Sequence, residues 1–193
     1  MSCRPKKERK AEEVPFDLVG DLEDAYDKAD REGNVELVDT LDTFGLWDEK
    51  PSCTRSWMYK IWRAIKGDVE AQADVGHAFY WSDHDPGGSR GEYKWLDKPE
   101  LAIYWYKLAA EAGYGCAQSD LACLYCPDLL PYSEYMIGRF ARYWWAESAA
   151  QKLPLGMRGL AKCLRCGKCS CCDRDVPRAE ALEAEADRIE RER

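Results

Sequence analysis

Histidine is almost missing from this chain: His77 and His84 are the whole supply. The phosphate-cradling G-x-x-x-x-G-K-[ST] loop is absent, as are the G-x-S-x-G elbow and the dinucleotide-binding G-x-G-x-x-G. Cys123 or Cys166 beside His77 would be a nucleophile pair in principle, but nothing in their spacing demands it, and no enzyme is expected. No apolar run approaches the ~20 residues of a membrane-spanning helix. Cations are in deficit, with 28 Lys and Arg against 36 Asp and Glu and a formal net charge of −8. General nucleic-acid binding needs a basic surface and is not expected. Residues 1–13 are basic but lack the apolar segment of a secretory signal, so the expected compartment is the cytoplasm.

Aromatic residues, by contrast, are plentiful, with eight Trp and eleven Tyr. Between residues 97 and 125, Ala102, Trp105, Ala109 and Ala110 fall on one helical face, and Gly113 follows where a helix commonly closes. The next helix carries Ala117, Leu121, Ala122 and Tyr125. The first pattern, a closing helix, returns at Ala141, Trp144, Ser148 and Ala149, and in part at Ala179, Leu182 and Ala186. The second, an opening helix, occurs upstream at Ala71, Val75, Gly76 and Phe79 and downstream at Gly156, Leu160, Ala161 and Leu164. Copies are offset by roughly 38 to 46 residues, the range of solenoid repeats. Small residues let helices approach closely and the aromatic fills the gap between neighbouring units, which makes Trp105 and Trp144 expected equivalents in the core.

These residues, with Tyr106 and Trp145 beside the tryptophans, resemble Sel1-like repeats, relatives of the tetratricopeptide repeats. Ala122, where glycine is usual, and Ser148, where alanine is usual, depart from the pattern, and long loops interrupt it. The resemblance implies an all-α fold, a short right-handed αα-solenoid of helical hairpins, here with seven or eight helices. It also implies a binding role without chemistry, with the opening helices lining the concave side. At ~100° per residue, the exposed face of those helices holds Asp74, His77, Tyr80 and Trp81, then Asp120 and Cys123 with Cys126, then Lys162 and Arg165. These are the expected partner-binding positions, and an ordinary solvated face is the competing reading.

Residues 1–13 read as a disordered N-terminus, residues 14–53 as an acidic helical hairpin and linker capping the array, and residues 54–193 as the repeat array. Asp17 starts the first helix, whose stripe is Leu18, Leu22, Ala25, Tyr26 and Ala29, and Gly33 with Asn34 breaks it. Between residues 11 and 50 stand fourteen Asp or Glu and three Lys or Arg. That stretch is either a solvated outer cap or a docking surface for a basic partner. The helix near residues 54–66 looks like a degenerate closing helix, with Tyr59, Arg63, Ala64 and Gly67 in register with Trp105, Ala109, Ala110 and Gly113. Asp97 and Glu100 form a capping box around Pro99, Ser133 caps a later helix, and Asp175 with Pro177 opens the last one.

Ten cysteines complete the inventory. In a cytoplasmic chain they are expected as thiols or metal ligands more than as disulfides. Five crowd into residues 163–172, CLRCGKCSCC. C-x-x-C-G has the form of a zinc knuckle, and Cys163, Cys166, Cys169 and Cys172 are the expected ligands of one zinc ion, with Cys126 in reserve. Plain thiols and disulfide or redox use remain the alternatives. Asp83, His84 and Asp85 read as a turn rather than a metal site. The leading function is a protein–protein interaction adaptor, and the rival is a zinc-binding or redox-sensing thiol protein on the same scaffold.

Overall fold

The computed structural model describes residues 17–44, 55–80, 98–125, 134–166 and 174–192. Every regular element among them is an α-helix: α1 (Leu18–Glu32), α2 (Val35–Thr43), α3 (Arg55–Ile65), α4 (Val69–Tyr80), α5 (Pro99–Glu111), α6 (Gly115–Leu124), α7 (Glu134–Ala150), α8 (Pro154–Cys166) and α9 (Val176–Arg191). The fold is all-α, but nine helices among the described residues exceed the seven or eight expected. Segments with short apolar stripes still close as helices where a side chain caps them. Asn34 accepts from the Leu37 amide to start α2, and Asp175 accepts from the Arg178 amide to start α9.

One turn geometry recurs four times. After α3, Gly67 adopts φ 90° and donates its amide to Ala64, while Asp68 donates to Arg63. After α5, Gly113 (φ 87°) donates to Ala110, and Tyr114 to Ala109. After α7, Lys152 (φ 57°) donates to Ala149, and Leu153 to Ser148. After α1, Gly33 (φ 70°) donates to Asp30, and Asn34 to Ala29. Each is a left-handed closure that satisfies the carbonyls a helix end leaves unpaired. The buried amides of Gln72 and Gln118 repeat as well, donating to Ala64 and Ala110 at 3.1 and 3.2 Å. Among the described residues the turns after α3, α5 and α7 thus share one closure at the positions aligned by the apolar spacing.

The chain forms two compact units, Met1–Trp105 and Tyr106–Arg193, which divide within α5. The boundaries expected at residues 13/14 and 53/54 lie outside the described residues. In the first unit α1 packs on α2 and α3, and α3 packs on α4. Its core holds Leu22, Leu41, Phe44, Ile61, Val75, Phe79, Leu101 and Trp105. Phe44 stacks on Trp57 at 5.7 Å and meets Phe79 edge-on at 5.5 Å. The Trp105 indole donates to the buried Thr40 hydroxyl at 2.9 Å, which satisfies the one polar atom of a side chain only 1% exposed.

In the second unit α6 packs on α7 and α8, α7 on α8, and α8 on α9. The opening-helix stripes are buried as expected: Ala71, Val75, Gly76 and Phe79 on α4, Ala117, Leu121 and Ala122 on α6, and Gly156, Leu160, Ala161 and Leu164 on α8. Ser148 earns its departure from alanine, because its hydroxyl lies 2.6 Å from the Ser119 hydroxyl and donates to the Gly115 carbonyl at 3.0 Å. The expected burial of Trp144 is wrong. Trp144 is half-buried, and its neighbour Trp145, 7% exposed, enters the core instead. Gly159 on α8 makes that choice possible, since a methyl group there would overlap the Trp145 ring. Arg158 then fastens α9, donating to Glu190 at 2.7 and 2.8 Å and to Asp187 at 2.7 Å.

Candidate functional site: an aromatic groove in the second unit

Trp144 stays half-buried because it borders a groove of about 660 Å³ lined by Lys107, Glu111, Tyr125, Arg139, Phe140, Tyr143 and Trp144. That volume is within the range of ligand-binding clefts. Late α5 contributes Lys107 and Glu111, the end of α6 contributes Tyr125, and α7 contributes the other four. Residues 140, 143 and 144 are spaced by three and one, so they share a helical face with Arg139 at its edge. Phe140 and Tyr143 are 49% and 53% exposed. Tyr125 and Phe140 place their ring centroids 5.7 Å apart, and Tyr143 meets Trp144 edge-on at 4.9 Å.

Charge and hydrogen-bonding capacity are unevenly used around this groove. Lys107 and Glu111 form an exposed pair one helical turn apart, at 3.8 Å. Burial, followed by the Glu111 carboxylate, raises the pKa of the Tyr125 phenol above its ordinary value. Neither Arg139, Tyr125, Tyr143 nor Trp144 makes a side-chain hydrogen bond or ion pair among the described residues. Among the described residues, the groove therefore presents aromatic faces, donor groups without a protein partner, and Arg139 as a cation without a counter-charge.

The expected partner-binding residues are distributed differently. Asp74 on α4 is held by Lys60 of α3 at 3.0 Å. His77 is exposed and Tyr80 half-buried on the same helix, while Trp81 lies outside the described residues. Asp120 on α6 is half-buried, and desolvation pushes its pKa up to about 7. Lys162 is exposed on α8, and Arg165 is engaged by Glu183 of α9 at 2.7 Å. Those of them among the described residues do not line the aromatic groove. The periodic pattern placed Trp144 in the core and made no use of Phe140 and Tyr143, and the missed signal was these three rings gathered on one side of one helix.

On the acidic hairpin, the Asp42 carboxylate, then desolvation and Asp30, raise the pKa of Tyr26, which registers the crowding of negative charge there. Cys163 and Cys166 stand one turn apart at the end of α8, and Cys123 and Cys163 are half-buried against the second unit's core. Cys126, Cys169 and Cys172 lie outside the described residues. No cluster of three or more His, Cys, Asp or Glu able to hold a metal occurs among the described residues. Cys116 is disulfide-bonded, where thiols or metal ligands were expected more than disulfides, whereas Cys123, Cys163 and Cys166 are not. No described helix is long and apolar enough to cross a membrane. No family model matches the chain, and no curated protein matches it.

Proposed function

We propose that this chain is a protein-interaction adaptor built from Sel1-like helical repeats. On this reading the hairpins follow one another as a short right-handed αα-solenoid, and the protein works by holding a partner rather than by catalysis. The four equivalent turns and the paired Gln72 and Gln118 contacts support the repeat reading. The observation that carries the binding role is the aromatic groove, because exposed Phe140 and Tyr143 beside an unpaired arginine cost solubility and make sense where a partner covers them. The partner is a protein or peptide rather than nucleic acid, since one positive groove on a chain of net charge −8 supplies no phosphate-binding surface. The test is affinity capture of native partners with the full chain, comparing Tyr143→Ala/Arg139→Gln with Asp74→Asn/His77→Ala. Loss of the same partner in the first variant and retention in the second is expected. The opposite pattern would move the site to the opening-helix face.

The thiol reading is favoured by a separate observation. The Asp175 amide donates to the Leu164 carbonyl at 3.0 Å, so the chain leaving α8 returns to it before α9 begins. Leu164 and Asp175 are thereby held together, and a knuckle holding zinc through Cys163, Cys166, Cys169 and Cys172 would need such closeness of the flanking residues. Zinc there would supply local order. About one zinc per chain in protein purified under reducing conditions supports this reading, and metal-free protein with all loop thiols reactive rejects it.

A further inference from the structure

We infer that the aromatic groove takes an extended, proline-containing segment of a partner protein, in polyproline II form, with an acidic side chain set against Arg139. The inference rests on the interaction-adaptor reading and names the ligand class for it. Two properties of the groove select this ligand. First, its walls offer flat aromatic faces from Tyr125, Phe140, Tyr143 and Trp144, against which prolyl rings pack without losing rotamer freedom. Second, its polar groups are mainly donors: the hydroxyls of Tyr125 and Tyr143, the Trp144 indole and the Arg139 guanidinium, none of them engaged by a side-chain hydrogen bond or ion pair among the described residues. A polyproline II backbone leaves its carbonyls without internal partners and carries few amides at proline positions, so it presents acceptors to such donors. A helical ligand consumes its own carbonyls internally and would leave these donors unmet when it covered them, at the cost of an unsatisfied buried polar group.

Charge sets the remaining requirement. Glu111 is already taken up by Lys107 at 3.8 Å, which leaves Arg139 as the uncompensated charge among the described residues of the groove. An acidic residue on the ligand pairs with a planar guanidinium through two parallel hydrogen bonds. A basic proline-rich ligand would instead meet Arg139 and Lys107 with like charge.

The test uses the full chain and three synthetic peptides of equal length. One repeats Pro-Leu-Pro-Glu-Pro, the second has Gln for Glu, and the third is an amphipathic helix of the same charge as the first. Binding is read by fluorescence anisotropy. The Glu peptide is expected to bind about tenfold tighter than the Gln peptide, and Arg139→Gln should erase that difference. Tyr143→Ala should weaken both by about tenfold. Both residues are exposed, and circular dichroism confirms that the variants keep their helices. Preferential binding of the helical peptide, still sensitive to Tyr143→Ala, overturns the ligand class while leaving the adaptor reading standing. Binding of any peptide that ignores both substitutions overturns the groove as the site. No binding of the Glu peptide up to ~1 mM, the limit of a weak specific interaction, overturns the inference even where native partners are captured through the groove.

Discussion

Asp74 in the first unit and Asp120 in the second each stand three residues after the first alanine of an opening-helix stripe, Ala71 and Ala117, yet their environments are opposite. Lys60 of α3 stands 3.0 Å from Asp74. The position matching Lys60 one repeat later is Tyr106, which is buried and supplies no positive charge. Asp120 makes no ion pair among the described residues, and desolvation alone lifts its pKa to about 7. The third copy of this pair replaces charge altogether, with Gly159 under Trp145. One backbone frame thus accepts an ion pair, a lone desolvated carboxylate or a ring over a glycine. Similar helix closures recur, and side-chain chemistry is local. The charge balance divides the same way. Residues 1–105 hold fifteen Lys or Arg against twenty-three Asp or Glu, whereas residues 106–193 hold thirteen of each.

The contrast between units should be widest at the two repeat tryptophans. Trp105→Ala removes a buried ring and its bond to Thr40, and a loss of roughly 3–5 kcal/mol in chemical denaturation is expected. Trp144→Ala, at the groove edge, should cost about 1 kcal/mol. Equal losses would restore the register in which both rings are core.

Asp120 gives the next largest effect. Its folded-state pKa lies above the unfolded value, so the folded chain holds the proton more tightly. As far as this group decides, stability is greatest below about pH 4, falls as pH rises towards about 7, and is level above that. Asp120→Asn should therefore stabilise the chain at pH 8 by roughly 2 kcal/mol, less than the full shift implies because the side chain is partly exposed, and by almost nothing at pH 4. A variant equally stable to the parent at both values would show that Asp120 is solvated.

The turns come third. Gly113→Ala forces an L residue into the left-handed region and should cost about 1 kcal/mol, although a methyl group there meets nothing within 4 Å. Lys152 already bears that strain, so Lys152→Gly should be neutral or stabilising by up to about 1 kcal/mol. Destabilisation on placing glycine at 152 would mean that this turn differs from the other three. The smallest effect belongs to the Lys60–Asp74 pair. Lys60→Ala should cost a few tenths of a kcal/mol, as exposed ion pairs do.

Much of this fold was legible in advance because small and apolar residues at helical spacing have one physical reading. Ala71, Val75 and Phe79, or Leu160, Ala161 and Leu164, could face only a core. Helix starts at Asp17 and Asp175 were legible because a short polar side chain at a helix start has a defined partner, whereas Asn34, read only as a break after the first helix, caps the second. The groove was not legible. Its lining comes from three helices, and Phe140 and Tyr143 lie off the stripe of Ala141, Trp144, Ser148 and Ala149. The adjacent pair Trp144 and Trp145 offered two rings for one buried position, and the answer depended on Gly159 in another helix, which no local pattern contains.

Photo-cross-linking from position 143 tests the binding claim most directly. A photoreactive phenylalanine replaces Tyr143 in one full-length chain and His77 in another, and both are irradiated in native extract with peptides added as competitors. The expected result is a discrete cross-linked partner from position 143, displaced by the acidic proline-containing peptide, with no such product from position 77. A partner captured from position 77 alone would contradict the claim and place binding on the opening-helix face.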